Sequence, residues 1–80
     1  MNIIYIEDDP SIISLLERVT NATGDSLVTF VDAESALESD LLWDADLFLV
    51  DIHLPGKLNG LALADILRQK NINVPVVMIT

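Results

Sequence analysis

The 80-residue sequence predicts one α/β domain built on a parallel sheet, and three observations carry that expectation. Short uninterrupted apolar runs (Ile3-Ile4-Tyr5-Ile6, Leu47-Phe48-Leu49-Val50 and Val76-Val77-Met78-Ile79) are too short for helices and read as strands, the one at 47–50 as a strand buried on both faces. Between them lie segments with apolar residues at helical spacing, opened by Asp or Asn and closed by Gly or Asn. Regular alternation of strand and helix requires parallel pairing through right-handed crossovers.

In chain order, the first strand ends in three acids, Glu7, Asp8 and Asp9. Asp9 is a helix N-cap and Pro10 takes the first helical position, where its missing N–H is harmless. Ile12, Ile13, Leu16 and Val19 follow at helical spacing, and Gly24 closes the helix. Residues 26–31 form a weaker strand that owes its apolar character to Leu27, Val28 and Phe30. Asp32 caps a short helix running through Glu38, with Ala33, Ala36 and Leu37 inward. Residues 40–45 are a connection anchored by Trp43 covering apolar surface. The third strand, 47–51, ends at Asp51 and is followed by a Pro55-Gly56 turn. Asn59-Gly60 opens a third helix with Leu63, Ile66 and Leu67 on its inner side. Arg68 and Lys70 stand in its last turn, where cations suit the helix dipole, and residues 71–73 end it. Residues 74–80 are the fourth strand.

Thirteen acidic residues against four basic ones give a net charge of −9. That balance argues against contact with nucleic acid by this segment, because phosphates need Lys and Arg. A hydrophobic share of 51% with 21% charged residues belongs to a globular chain and excludes disorder. No apolar run approaches the ~18 residues needed to span a membrane, and no basic n-region precedes the first strand. Without cysteine there is neither a disulfide framework nor a thiolate metal site. A cytoplasmic location is the default expectation.

The carboxyl ends of strands one, three and four carry Glu7 and Asp8, Asp51, and Thr80. In a parallel sheet these ends share one edge, where ligands bind. Carboxylates gathered there repel one another, and a divalent cation relieves the repulsion. Oxygen donors without Cys or paired His suit Mg²⁺, or Mn²⁺, better than zinc. A cation would also neutralise phosphoryl oxygens brought to Asp51, whose carboxylate could attack phosphorus, while Thr80 offers a hydroxyl. Each piece has a plainer reading: Asp9 as helix cap, Thr80 as a β-branched strand residue, His53 as a solvent-facing side chain and Lys57 as a solvated turn residue. The combination is more specific than any member.

Across essentially all 80 residues the sequence resembles the receiver domain of bacterial response regulators. The resemblance rests on Ile4-Tyr5-Ile6-Glu7-Asp8-Asp9-Pro10, Leu49-Val50-Asp51-Ile52-His53-Leu54-Pro55-Gly56, Asn59-Gly60-Leu61 and Val74-Pro75-Val76-Val77-Met78-Ile79-Thr80. It implies a doubly wound, flavodoxin-like sheet in the order 2-1-3-4. It also implies Asp51 as phosphoacceptor, Asp8 as a direct Mg²⁺ ligand, Glu7 acting mainly through water, the His53 backbone carbonyl as a further ligand and Thr80 as a switch hydroxyl. A sensor histidine kinase or phosphotransfer protein would supply the phosphoryl group, and an output domain or partner would read the result. No turnover on an external substrate is expected, so the chain is not read as an enzyme.

Two departures stand out. The loop between Pro55 and Gly60 is one residue longer than the commonest family pattern. The family also continues with a fourth helix, a fifth strand bearing a Lys and an aromatic switch residue, and a fifth helix. Residues 1–80 are therefore expected to be a C-terminally truncated receiver, with the fourth strand an open edge that invites self-association. Two alternatives remain at this level. One is a Mg²⁺-dependent phosphohydrolase with an Asp nucleophile, disfavoured because His53 stands where a second acid is wanted. The other is a receiver-like interaction domain that is not phosphorylated.

Overall fold

The computed structural model describes residues 1–79. β1 (Asn2–Ile6) lies between β2 (Ser26–Phe30) and β3 (Leu47–Asp51), and β4 (Val76–Ile79) flanks β3. The four strands form one sheet in the order β2-β1-β3-β4, parallel throughout. The predicted doubly wound topology is present. The connections are α1 (Pro10–Thr23), α2 (Ala33–Leu37) with a 3₁₀ turn (Asp40–Asp44), and α3 (Gly60–Gln69).

Each helix starts where an Asp or Asn side chain can accept from an otherwise unpaired N–H. Asp9 accepts from Ser11 N at 2.9 Å, Asp32 from Ser35 N at 2.8 Å, and Asn59 from Ala62 N at 2.9 Å. Such caps contribute about 1 kcal/mol each. The hydrogen bonds that Ser35 donates hold the Asp32 carboxyl below its ordinary range. α1 stops at Gly24, whose φ of 78° lets its N–H reach back to Thr20 O. Asn71, at φ 61°, turns the chain out of α3 in the left-handed conformation that Asn tolerates.

The registers Ile4↔Phe48 and Ile6↔Val50 place four apolar side chains on one face of the sheet. There they meet Ala33 and Ala36 of α2, Leu42 of the 3₁₀ turn, and Leu63 and Leu67 of α3. All of these are buried, and a fully buried Leu or Phe contributes roughly 1.5–3 kcal/mol.

The opposite face is thinner, and here the expected burial of β3 on both sides is corrected. Phe48 and Val50 are fully buried, whereas Leu47 and Leu49 are half-buried. Among the described residues α1 alone covers this side, through Leu16 and its neighbours. A groove of about 260 Å³ stays open between α1 and Tyr5, Leu49 and Ile79. Ile12, Leu15 and Val19 of α1, with Val77 and Ile79 of β4, stay exposed. The inward stripe of α1 is Ile13, Leu16 and Thr20, so Ile12 and Val19 belong to a second apolar stripe with no partner among the described residues.

Three smaller corrections concern segment ends. Residues 40–45 contain a 3₁₀ turn that points Leu42 into the core and leaves Trp43 60% exposed, so Leu42 is the anchor that Trp43 was expected to be. β2 ends at Phe30, with Val31 exposed, and β4 begins at Val76, after Pro75. Proline lacks the N–H that a ladder position needs, although the Pro75 carbonyl still accepts from Phe48 N at 2.9 Å.

Candidate functional site

The carboxyl ends of β1 and β3 bring Glu7, Asp8 and Asp51 together, with one oxygen from each lying within 4.8 Å of the others. Adjacent parallel strands make this unavoidable. Ile6 pairs with Val50, so the next residues along each strand, Glu7 and Asp51, emerge side by side.

The three acids differ in setting. Glu7 is 4% exposed, Asp51 half-buried and Asp8 exposed. Glu7 is held from two sides: Tyr5 Oη donates to Oε2 at 3.1 Å and Asp9 N donates to Oε1 at 3.1 Å. Tyr5 sits two residues before Glu7, so strand alternation sets both on the same face. Burial pushes the Glu7 carboxyl above its ordinary value, aided by the negative charges of Asp51 and Asp8, while the two hydrogen bonds oppose the shift. Burial, with the Glu7 charge beside it, pushes the Tyr5 hydroxyl up to about 12, so it remains a donor.

A pH dependence follows. A carboxyl raised on folding contributes stability that is fully present below its unfolded value of 4.5 and lost as pH rises through the folded value. In chelator, the urea midpoint of Glu7→Gln is therefore expected to gain on that of the parent as pH rises from 4.5 toward neutrality. A gap that stays constant across that range would contradict this origin. Asp25 and Asp32, both held low, act in the opposite sense below their ordinary 3.8, outside the window.

Asp51 is half anchored. Its Oδ1 accepts from His53 N at 3.0 Å, while Oδ2 takes no hydrogen bond among the described residues. The His53 side chain is exposed. The loop after β3 is seated by Gly60, whose N donates to Ile52 O at 3.0 Å. Thr80 lies outside the described residues.

Three oxygen donors around a repelled, partly buried acid suit a small hard cation. Ligands on opposite sides of Mg²⁺ stand about 4.2 Å apart, given Mg–O distances near 2.1 Å. Oxygens up to 4.8 Å apart fit such an ion after slight closure or with water completing its shell.

The family model for the response regulator receiver domain matches residues 3–80. The chain belongs to this family. The receiver is 33% identical over 78 residues to the alkaline phosphatase synthesis transcriptional regulatory protein PhoP of Bacillus subtilis, covering 98% of this chain and 32% of that protein. It thus spans about a third of that curated relative's length. Among solved structures it resembles the BeF₃-activated N-terminal receiver domain of Klebsiella pneumoniae RstA, with a TM-score of 0.86 and 31% identity. That match covers 98% of this chain and 65% of the other. It also resembles the response regulator TrrA of Thermotoga maritima in complex with Mg²⁺-BeF, with a TM-score of 0.84 and 28% identity over 96% of this chain and 66% of that one. No helix among the described residues is long and apolar enough to cross a membrane.

Of the residues singled out in the sequence, Glu7, Asp8 and Asp51 come together, His53 lies beside them through its backbone, and Asp9 is the α1 cap. Two further contributors had gone unnoticed. Tyr5 was legible in principle, two positions from Glu7 on one strand. Glu34, which reaches the loop after β3 from 23 residues away, left no signal in the sequence.

Proposed function

We propose that this receiver accepts a phosphoryl group on Asp51 with the help of Mg²⁺ and relays a signal by the change that follows. The observation that carries the reading is the convergence of Glu7, Asp8 and Asp51 at one sheet edge, with one oxygen of Asp51 taking no hydrogen bond among the described residues. Asp8 and Asp51 would hold the cation directly, Glu7 mainly through water, with the His53 carbonyl as a further protein donor. The cation supplies positive charge that lets an anionic phosphoryl group approach an anionic carboxylate.

The chain's own residues supply the rest. Asp51 Oδ2 attacks phosphorus, the P–N bond to the donor's histidine breaks, and an acyl phosphate forms as the imidazole leaves and recovers a proton. His53 N holds the other Asp51 oxygen in place. Thr80 is the switch hydroxyl of this reading. The donor is a histidine kinase or phosphotransfer protein, and an output domain or partner reads the phosphorylated state. The receiver promotes its own modification and turns over no external substrate.

Intact mass after incubation with acetyl phosphate tests the reading. One phosphoryl adduct that forms with Mg²⁺ and not in chelator supports it; no adduct on the chain, whether alone or extended at its C-terminus, overturns it.

A further inference from the structure

The loop after β3 is gripped by a carboxylate outside the acid cluster. Glu34, in the first turn of α2, reaches across to residues 56–58. Its Oε2 accepts from Lys57 N at 3.0 Å and, more distantly, from Leu58 N at 3.4 Å. Gly56 admits this contact: it adopts φ 88°, and a Cβ there would lie 2.8 Å from both carboxylate oxygens. The other oxygen, Oε1, is buried and has no hydrogen-bond partner among the described residues. A buried acceptor without a donor is unfavourable, so the carboxylate stays in place because the loop's N–H groups hold it there.

Two further ties pin the start of the same loop: His53 N to Asp51 Oδ1, and Gly60 N to Ile52 O. Within residues 53–59, Leu54 and Leu58 pack against the core and Asn59 caps α3, while the hydrogen bonds that hold the backbone at residues 57 and 58 come from Glu34. On the reading given under Proposed function, His53 presents a carbonyl to the cation from this loop. We propose that Glu34 is a positioning residue for that cation. By gripping residues 56–58 it presets the loop, so the ion meets an oxygen already in place and need not order the segment itself.

The test compares the parent chain with Glu34→Ala and Glu34→Gln, using Mg²⁺ alone and no phosphodonor. Amide chemical shifts give the Mg²⁺ Kd, hydrogen exchange without metal reports on the Lys57 and Leu58 amides, and urea unfolding reports global stability. Glu34→Ala is expected to weaken Mg²⁺ about tenfold, the lower end of the loss seen when a ligand's supporting partner is removed. It should also speed exchange at Lys57 and Leu58 beyond any change in global unfolding. Glu34→Gln keeps an acceptor oxygen and is expected to stay within about twofold of the parent on the same scale.

A folded Glu34→Ala chain with the parent's Kd would overturn the proposal. So would equal weakening in Glu34→Gln, because the lost charge, and not the grip, would then explain it. Should Glu34→Ala fail to fold, Gly56→Ala carries the test: its added methyl pushes the carboxylate off the loop, and an unchanged Kd would overturn the proposal. A parent chain whose Asp8 and Asp51 amides ignore Mg²⁺ would sink the cation reading along with this one. A responsive parent matched by Glu34→Ala would sink this one alone.

Discussion

Asp51→Asn is expected to yield no phosphoryl adduct under conditions where the parent receiver is modified, as read by intact mass. The amide oxygen is a far weaker nucleophile than the carboxylate, and no other group replaces it. On the proposed reading Asp8 holds the cation, and Glu7 has both oxygens engaged by Tyr5 and Asp9. The substitution should also stabilise the metal-free chain, because it removes one of three charges whose oxygens lie within 4.8 Å of one another. At solvent-like dielectric that repulsion is on the order of 1 kcal/mol per pair. A variant that loses the adduct while its urea midpoint rises in chelator therefore reports an intact fold with an altered site. Persistence of the adduct in Asp51→Asn would move the acceptor elsewhere and remove the central assignment.

Gly60→Ala is expected to damage both fold and site. A Cβ at position 60 would stand 2.2 Å from Asp51 O and 2.9 Å from Asp51 C and Ile52 Cα. These are backbone atoms of Asp51 and its neighbour Ile52, so no flexible side chain can yield. Alanine gains up to about 1 kcal/mol over glycine in a helix, but forced overpacking costs about 1–3 kcal/mol, and backbone contact this close belongs at the upper end. The clash wins. The urea midpoint should fall, and adduct formation should slow even where the variant is fully folded, because relief requires the end of β3 to move. A variant as stable and as reactive as the parent would mean that α3 can back away without disturbing Asp51.

Helix caps and parallel strands were legible because they depend on local chemistry and on the alternation of elements, whereas the strand order came from the resemblance to the receiver family. Asp9, Asp32 and Asn59 cap what their types predict, and Glu7, Asp8 and Asp51 converge through parallel pairing. What escaped depends on distant packing. Trp43 reads as an anchor by size, yet a 3₁₀ turn chooses which of two neighbouring apolar residues faces inward, and it chose Leu42. The apolar stripe of α1 was legible, but periodicity cannot say that Ile12 and Val19 stay exposed among the described residues while Leu16 is half-buried. Glu34 reads as one surface acid among many, because its partners are backbone amides 23 and 24 residues away.

The double pairing of β1 has a consequence for how such a chain can change over time. Ile3, Ile4, Tyr5 and Ile6 each have a partner in β2 and another in β3. Replacing one apolar side chain by another at Ile4 or Ile6 disturbs packing locally. Losing or gaining a single residue there would shift Glu7 and Asp8 by about 3.3 Å along the strand and turn Ile4 and Ile6 to the opposite face. The strand is thus a ruler whose length is less negotiable than its spelling. Variation in this chain's lineage is expected to fall on substitutions within β1 and on insertions or deletions in the loops.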